Sequence, residues 1–123
     1  MSLGISAIDH VQIAVPRALE EECVAFYRDI LGLVEVLKPE AMRGRGGAWF
    51  QLGDLQIHLG LDPAPSPSSK RHVCFRVPDL ATARAAAEQK GLAIEGEGQA
   101  EGLIRFFIRD PAGNRIEIGQ RAA

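Results

Sequence analysis

A chain of 123 residues, 46% of them hydrophobic, is long enough for one sizeable core and short for two domains of ordinary size. Its formal net charge is −2, with lysines and arginines scattered, so it lacks the basic stripe of a nucleic-acid binder. No apolar run approaches the roughly 20 residues that cross a bilayer. The opening Met-Ser-Leu-Gly has no charged stretch ahead of an apolar one, and two cysteines, Cys23 and Cys74, are too few for a disulfide framework. A cytoplasmic protein without membrane or nucleic-acid partners is the expectation.

Ile8 to Val15 alternates and stops at Pro16, which predicts a strand with Val11, Ile13 and Val15 on one face and His10, Gln12 and Ala14 on the other. From Arg17 to Leu31, Leu19, Cys23, Phe26 and Ile30 recur as one stripe of an amphipathic helix, and Gly32 reads as its stop. Cys23 and Tyr27 are expected to be structural. Leu33 to Lys38 is a short strand ending before Pro39. Residues 40–47 carry three glycines and no periodicity, which predicts a mobile loop. Ala48–Leu52 and Leu55–Leu61 form a hairpin through Gly53-Asp54. A two-residue turn there sets Leu52 against Leu55, Gln51 against Gln56 and Trp49 against His58. Gln56 and His58 then share the face opposite Leu55, Ile57 and Leu59.

Residues 62–69, Asp-Pro-Ala-Pro-Ser-Pro-Ser-Ser, are a connector, and beyond it the pattern starts again. Arg71 to Val77 is a strand ending at Pro78, with His72, Cys74 and Arg76 on its polar face. Asp79 caps an alanine-rich helix that runs to about Lys90 and stops at Gly91. Leu92–Glu95 reads as a short strand and residues 96–102 as a loop. Leu103–Arg109 and Arg115–Gln120 form a hairpin through Asp110-Pro111-Ala112-Gly113, with Arg115 and Glu117 opposite Ile116 and Ile118. Each half is therefore strand, helix and three strands, a repeat of about 60 residues. The fold class is α+β: two tandem βαβββ modules, residues 6–61 and 71–120 joined by 62–70, making a single domain with a cup-shaped mixed sheet and its helices on the outer face.

The repeat aligns His10 with His72 and His58 with Glu117, all on faces opposite the apolar set. Three imidazoles, which are every histidine in the chain, and one carboxylate are a fitting ligand set for one divalent cation such as Zn, Ni, Fe, Mn or Co if the sheet curls toward that face. Any one of the four taken alone is equally a surface or satisfied core group. Their joint placement favours the metal.

Asp9-His10-Val11, the run Phe26 to Leu33 and the run Asp110 to Glu117 resemble the vicinal oxygen chelate superfamily, which includes glyoxalase I, extradiol dioxygenases, fosfomycin-modifying thiol transferases and bleomycin-resistance proteins. The resemblance spans residues 6–120. It implies paired modules forming a cup around a metal held by His10, His58, His72 and Glu117. It also implies that Glu117 detaches to shuttle a proton. Glyoxalase I normally has glutamate where this chain has His58. A neutral imidazole there raises the charge of the metal's ligand shell by one unit, which favours an anionic substrate or bound hydroxide.

Gln12, Gln56, Trp49, Cys74 and Arg76 point to the same face and are candidate substrate contacts. For Trp49 core filling is the alternative, for Cys74 packing, and for Arg76 a solvated rim position. Arg43 and Arg45 would close over an anion or lie in a solvated turn. The expected function is a homodimeric, metal-dependent enzyme using its cation as a Lewis acid on a small substrate with vicinal oxygens. Isomerase or lyase chemistry is favoured over ring cleavage by O₂, since no fourth histidine remains for acid-base work. The alternatives are a drug- or metabolite-binding protein of bleomycin-resistance type and a fosfomycin-type thiol transferase.

Overall fold

The computed structural model describes residues 1–122. It divides into two compact units, Met1–Pro63 and Ala64–Ala123, with the break in the proline-serine connector. The first unit holds β1 (His10–Val15), helix α1 (Glu20–Ala25), β2 (Val34–Val36), β3 (Ala48–Leu52) and β4 (Leu55–Leu61). The last strand returns beside the first, so the sheet order is β1-β4-β3-β2, with β1 and β4 parallel and the other neighbours antiparallel. The second unit repeats this with β5 (His72–Arg76), α2 (Leu80–Gln89), β6 (Glu95–Ala100), β7 (Leu103–Arg109) and β8 (Arg115–Arg121), in the order β5-β8-β7-β6. These are the two βαβββ modules that the repeat in the sequence predicts.

Strand alternation builds each core. In the first unit Ile13, Val15, Phe50, Ile57 and Leu59 are buried on one face of the sheet, and Cys23, Phe26 and Tyr27 are buried from the helical segment. The Tyr27 ring lies 6.3 Å from that of Phe50, which places the helix on this face. In the second unit Phe106, Ile108, Ile116 and Ile118 are buried together with Ala87 of α2, which packs on β7 and β8. Each buried valine, leucine, isoleucine or phenylalanine among them contributes roughly 1.5–3 kcal/mol of transfer free energy. The hairpin at Gly53-Asp54 has the register read from the sequence, with Trp49 opposite His58 and Gln51 opposite Gln56.

Local signals fix the second helix. Asp79 accepts a hydrogen bond from the Thr82 amide at its start. At its end Gly91 has φ +76, and the Leu92 amide donates to the Ala87 carbonyl at 3.0 Å, satisfying an orphan helix carbonyl.

Three segments differ from the sequence reading. Residues 17–31 are not one α-helix but a 3-10 turn (Arg17–Leu19), α1, and a wider π turn (Phe26–Ile30). The wide turn goes with burial of both Phe26 and Tyr27, neighbours that a 3.6-residue period would spread apart. The expected mobile loop is instead a 3-10 helix over Glu40–Arg45. It is tied down where Lys38 Nζ donates to the Gly46 carbonyl and the Gly47 amide donates to Glu20 Oε2 at 2.6 Å. The second strand of the second unit is Glu95–Ala100 rather than Leu92–Glu95. Its polar Glu-Gly-Glu-Gly-Gln-Ala carries no apolar alternation, and it is a strand because β7 offers its edge, with a bulge between Glu95 and Gly98.

Candidate metal and substrate site

On the face of the first sheet away from α1, three rings form one stack. His10 opens β1 and His58 sits in β4, their rings 4.2 Å apart and nearly parallel at 14°. The other face of His58 meets the Trp49 indole at 3.9 Å and 4°. Cross-strand pairing produces this: Trp49 is directly opposite His58, and Gln12 and Gln56 are the rungs opposite His58 and His10 in the parallel pair. Burial in the stack, and secondarily the neighbouring His10, hold the His58 pKa below its ordinary value, with Asp9 opposing weakly.

The hydrogen bonds decide which ring nitrogens are available. A carboxylate or carbonyl oxygen only accepts, so His10 Nδ1–H donates to Asp9 Oδ2 at 2.8 Å and its Nε2 keeps a lone pair. His58 Nε2–H donates to Gln56 Oε1 at 2.8 Å, and Gln56 in turn donates to Gln51. A metal at His58 therefore takes Nδ1 or displaces Gln56. Around these residues lies a cavity of about 420 Å³, whose lining includes Gln12, Lys38, Met42, Arg45 and Trp49.

On the second sheet, the face away from α2 carries His72, Cys74, Arg76, Arg105, Phe107, Arg115 and Glu117, all set there by alternation and register. Glu117 is 4% exposed. Its Oε1 lies 3.0 Å from His72 Nε2, and Arg105 Nη1 donates to its Oε2 at 3.1 Å. His72 Nδ1–H donates to the Lys70 carbonyl at 2.8 Å. With that proton committed, Nε2 and Oε1 are two acceptors facing one another, and a positive species belongs between them, either a proton or a cation. Two ligand atoms each about 2.1 Å from one cation lie roughly 3 to 3.4 Å apart, and the 3.0 Å found here is at the short end of that range. The outer contacts of His10 to Asp9 and of His72 to a backbone carbonyl are those a metal-bound imidazole makes through its second nitrogen. On this chemistry the residues fit a divalent metal.

Other members of the face have distinct surroundings. Cys74 forms no disulfide, and desolvation of its sulfur, with Glu117 nearby, pushes the thiol pKa up. It is therefore held as a thiol and is a poor nucleophile. Arg76 is exposed, in register with Gly119. The guanidinium of Arg115 lies 3.8 Å over the Phe107 ring, whose edge meets His72. Within each unit, among the described residues, no three His, Cys, Asp or Glu side chains form a group able to hold a metal. Of the candidate ligands, His10 stacks on His58 in the first unit and His72 meets Glu117 in the second.

The sequence reading missed Asp9, Arg105, Phe107, Lys38 and Met42 as site residues. Asp9 had a visible signal, since it directly precedes a candidate ligand. Arg105 and Phe107 needed the register of the last hairpin, where Phe107 faces Glu117 and Arg105 faces Gly119.

Two mixed four-stranded sheets, each with a parallel pair at one edge, define a protein of two βαβββ units. The chain belongs to the Glyoxalase/Bleomycin resistance protein/Dioxygenase superfamily, whose family model matches residues 7–118. It is similar to a solved glyoxalase family protein from Bacillus anthracis, 36% identical with a TM-score of 0.88, over 98% of this chain and 99% of that one. The solved lactoylglutathione lyase from Agrobacterium tumefaciens is 27% identical with a TM-score of 0.74, over 94% of each chain. Glyoxylase I 4 of Arabidopsis thaliana is 27% identical over 94% of this chain and 71% of its own length. No helix among the described residues is long and apolar enough to cross a membrane.

Proposed function

We propose that this protein is a metal-dependent enzyme of the glyoxalase/dioxygenase type acting on a small substrate with two neighbouring oxygens, by isomerase or lyase chemistry. One divalent cation, of the Zn, Ni, Fe, Mn or Co kind, would be held by His10, His58, His72 and Glu117. When bound it supplies Lewis-acid stabilisation of negative charge developing on a substrate oxygen. The observation that carries this reading is the His72 Nε2 to Glu117 Oε1 contact of 3.0 Å, with His72 Nδ1 committed to a carbonyl.

The chain's own residues have separable tasks. Asp9 and the Lys70 carbonyl orient the imidazoles of His10 and His72. Arg105 holds Oε2 of Glu117, leaving Oε1 for the metal or for a proton taken from the substrate. Trp49, Gln12 and Gln56 in the first unit, and Cys74 and Arg76 in the second, are the groups set to contact substrate. A reducing, cytoplasmic setting is part of this reading, since two cysteines are too few for a disulfide framework.

Calorimetric titration of chelator-treated protein with Zn²⁺ or Ni²⁺ at neutral pH tests the assignment. His72→Ala and Glu117→Gln should each weaken binding by about a hundredfold or more, as loss of one of four ligands does. Equal affinity in wild type and His72→Ala would end it.

A second reading is favoured by the cavity of about 420 Å³, which is complete within the first unit. A non-catalytic binder of a drug or metabolite, of bleomycin-resistance type, needs such a cavity and no cation. Absence of metal after purification, together with tight small-molecule binding unaffected by chelator, would favour it.

A further inference from the structure

The cavity of the first unit has a charge and shape that go beyond metal chelation. Its wall on the β2–β3 side is the 3-10 helix Glu40–Arg45. Three residues per turn bring Met42 and Arg45 to one side, and both line the cavity. Arg43 falls on another side, outside that lining, with its Nε donating to the Lys38 carbonyl at 3.0 Å. Lys38 also lines the cavity, its ammonium held in place by the Gly46 carbonyl. The wall is closely fitted. A Cβ on Gly47, at φ +78, would fall 2.0 Å from the Leu59 carbonyl oxygen, so no other residue passes there.

Two cationic residues therefore line a space whose one carboxylate among the described lining residues, Asp9, is already engaged by His10. The Trp49 indole and the Met42 thioether line the same space, both suited to a flat apolar surface. The Gln12 amide covers Gly60, where an added Cβ would lie 2.5 Å from Gln12 Nε2. The volume of about 420 Å³ is that of a pocket for a small organic ligand.

We propose that this cavity binds organic carboxylates with a flat apolar body, the carboxylate paired with Arg45 and Lys38 and the body lying against Trp49 and Met42. Resting on the reading of this face as the substrate side, the inference names the substrate class: an anion recognised by the cationic residues of the wall and not by the imidazoles. Arg45 and Lys38 then set specificity, and Arg43, for all its proximity in sequence, does not.

Trp49 is the chain's single tryptophan and lines the cavity, so its fluorescence reports occupancy directly. Metal-free protein in chelator is titrated with phenylacetate and, separately, with the neutral isostere phenylacetamide. Phenylacetate should quench saturably and bind about tenfold or more tightly than the amide, and should weaken as salt rises. Arg45→Gln should remove most of that preference while leaving phenylacetamide affinity unchanged. Lys38→Gln should reduce it in part, and Arg43→Gln should match wild type. Equal binding of acid and amide, no saturable quenching by phenylacetate, or an Arg43→Gln loss as large as that of Arg45→Gln would overturn the inference. The metal reading is tested apart from this. Carboxylate binding that survives while His72→Ala leaves cation affinity untouched sinks the metal assignment alone, and the converse sinks this one alone.

Discussion

Three histidines on equivalent strand faces have three different surroundings, and those differences carry chemistry. His10 and His72 each give Nδ1–H to an oxygen and present Nε2, whereas His58 gives Nε2–H to Gln56 and is closed in by rings on both faces. Burial lowers the His58 pKa from its ordinary 6.5. In unfolded chain this imidazole takes up a proton near 6.5, and in folded chain only at lower pH. Between those values the unfolded state binds more protons, so stability rises with pH there and is lost as the pH falls below about 6.5. Urea midpoints of chelator-treated protein should therefore drop from pH 7.5 to pH 5.5 more steeply for wild type than for His58→Gln; parallel curves would refute the assignment. Phe50, fully buried against the helical segment, is a simpler case: Phe50→Ala should cost about 3–5 kcal/mol of unfolding free energy in the same assay.

At the level of the element, the last hairpin shows how a buried polar group places a functional one. Asp110 is 4% exposed, and its Oδ1 accepts from the Ala112 and Asn114 amides, while Oδ2 accepts from Asn114 Nδ2, each at 2.9 Å. This network sets Arg109 opposite Arg115, and every rung beyond it follows, including Phe107 opposite Glu117. Asp110→Ala leaves those donors without their acceptor and should cost about 3 kcal/mol, read from urea unfolding. Because Glu117 depends on that register, metal affinity should fall as well. Helix α2 offers a milder test. Gly91 has φ +76 with nothing within 4 Å of an added Cβ, so Gly91→Ala strains only the backbone and should cost about 1 kcal/mol.

For the whole molecule, the proposed ligand set is split, with one pair supplied by each unit. A complete set needs one His10/His58 pair and one His72/Glu117 pair at the same cation, drawn from one chain or from two copies in a homodimer. The double variants His10→Ala/His58→Ala and His72→Ala/Glu117→Ala should each bind no metal when alone. If two copies share each site, unfolding and refolding the two variants together should restore binding to a fraction of chains. If one chain builds its own site, mixing should restore none. Sedimentation of wild type beside this experiment gives the expected dimer directly.

Much of this was legible in the sequence. Strand faces follow from a period of two, and the Gly53-Asp54 turn admits one register, so Trp49 against His58 could be counted without coordinates. The caps at Asp79 and Gly91 are likewise local chemistry, as are the two βαβββ units that the repeat announces. What only the tertiary structure decided are the features made by residues distant in sequence or by backbone with no pattern of its own. Glu20 and Lys38 turn a glycine-rich stretch into a 3-10 helix that aims Arg45 at the cavity and Arg43 away. The edge of β7 makes a strand of Glu95–Ala100. Asn114, folded beneath Asp110, brings Arg105 to Glu117. The physical reason is the same throughout: periodicity and turn chemistry act over a few residues and set which way a side chain points. Its partner is chosen by hydrogen bonds that close across the fold.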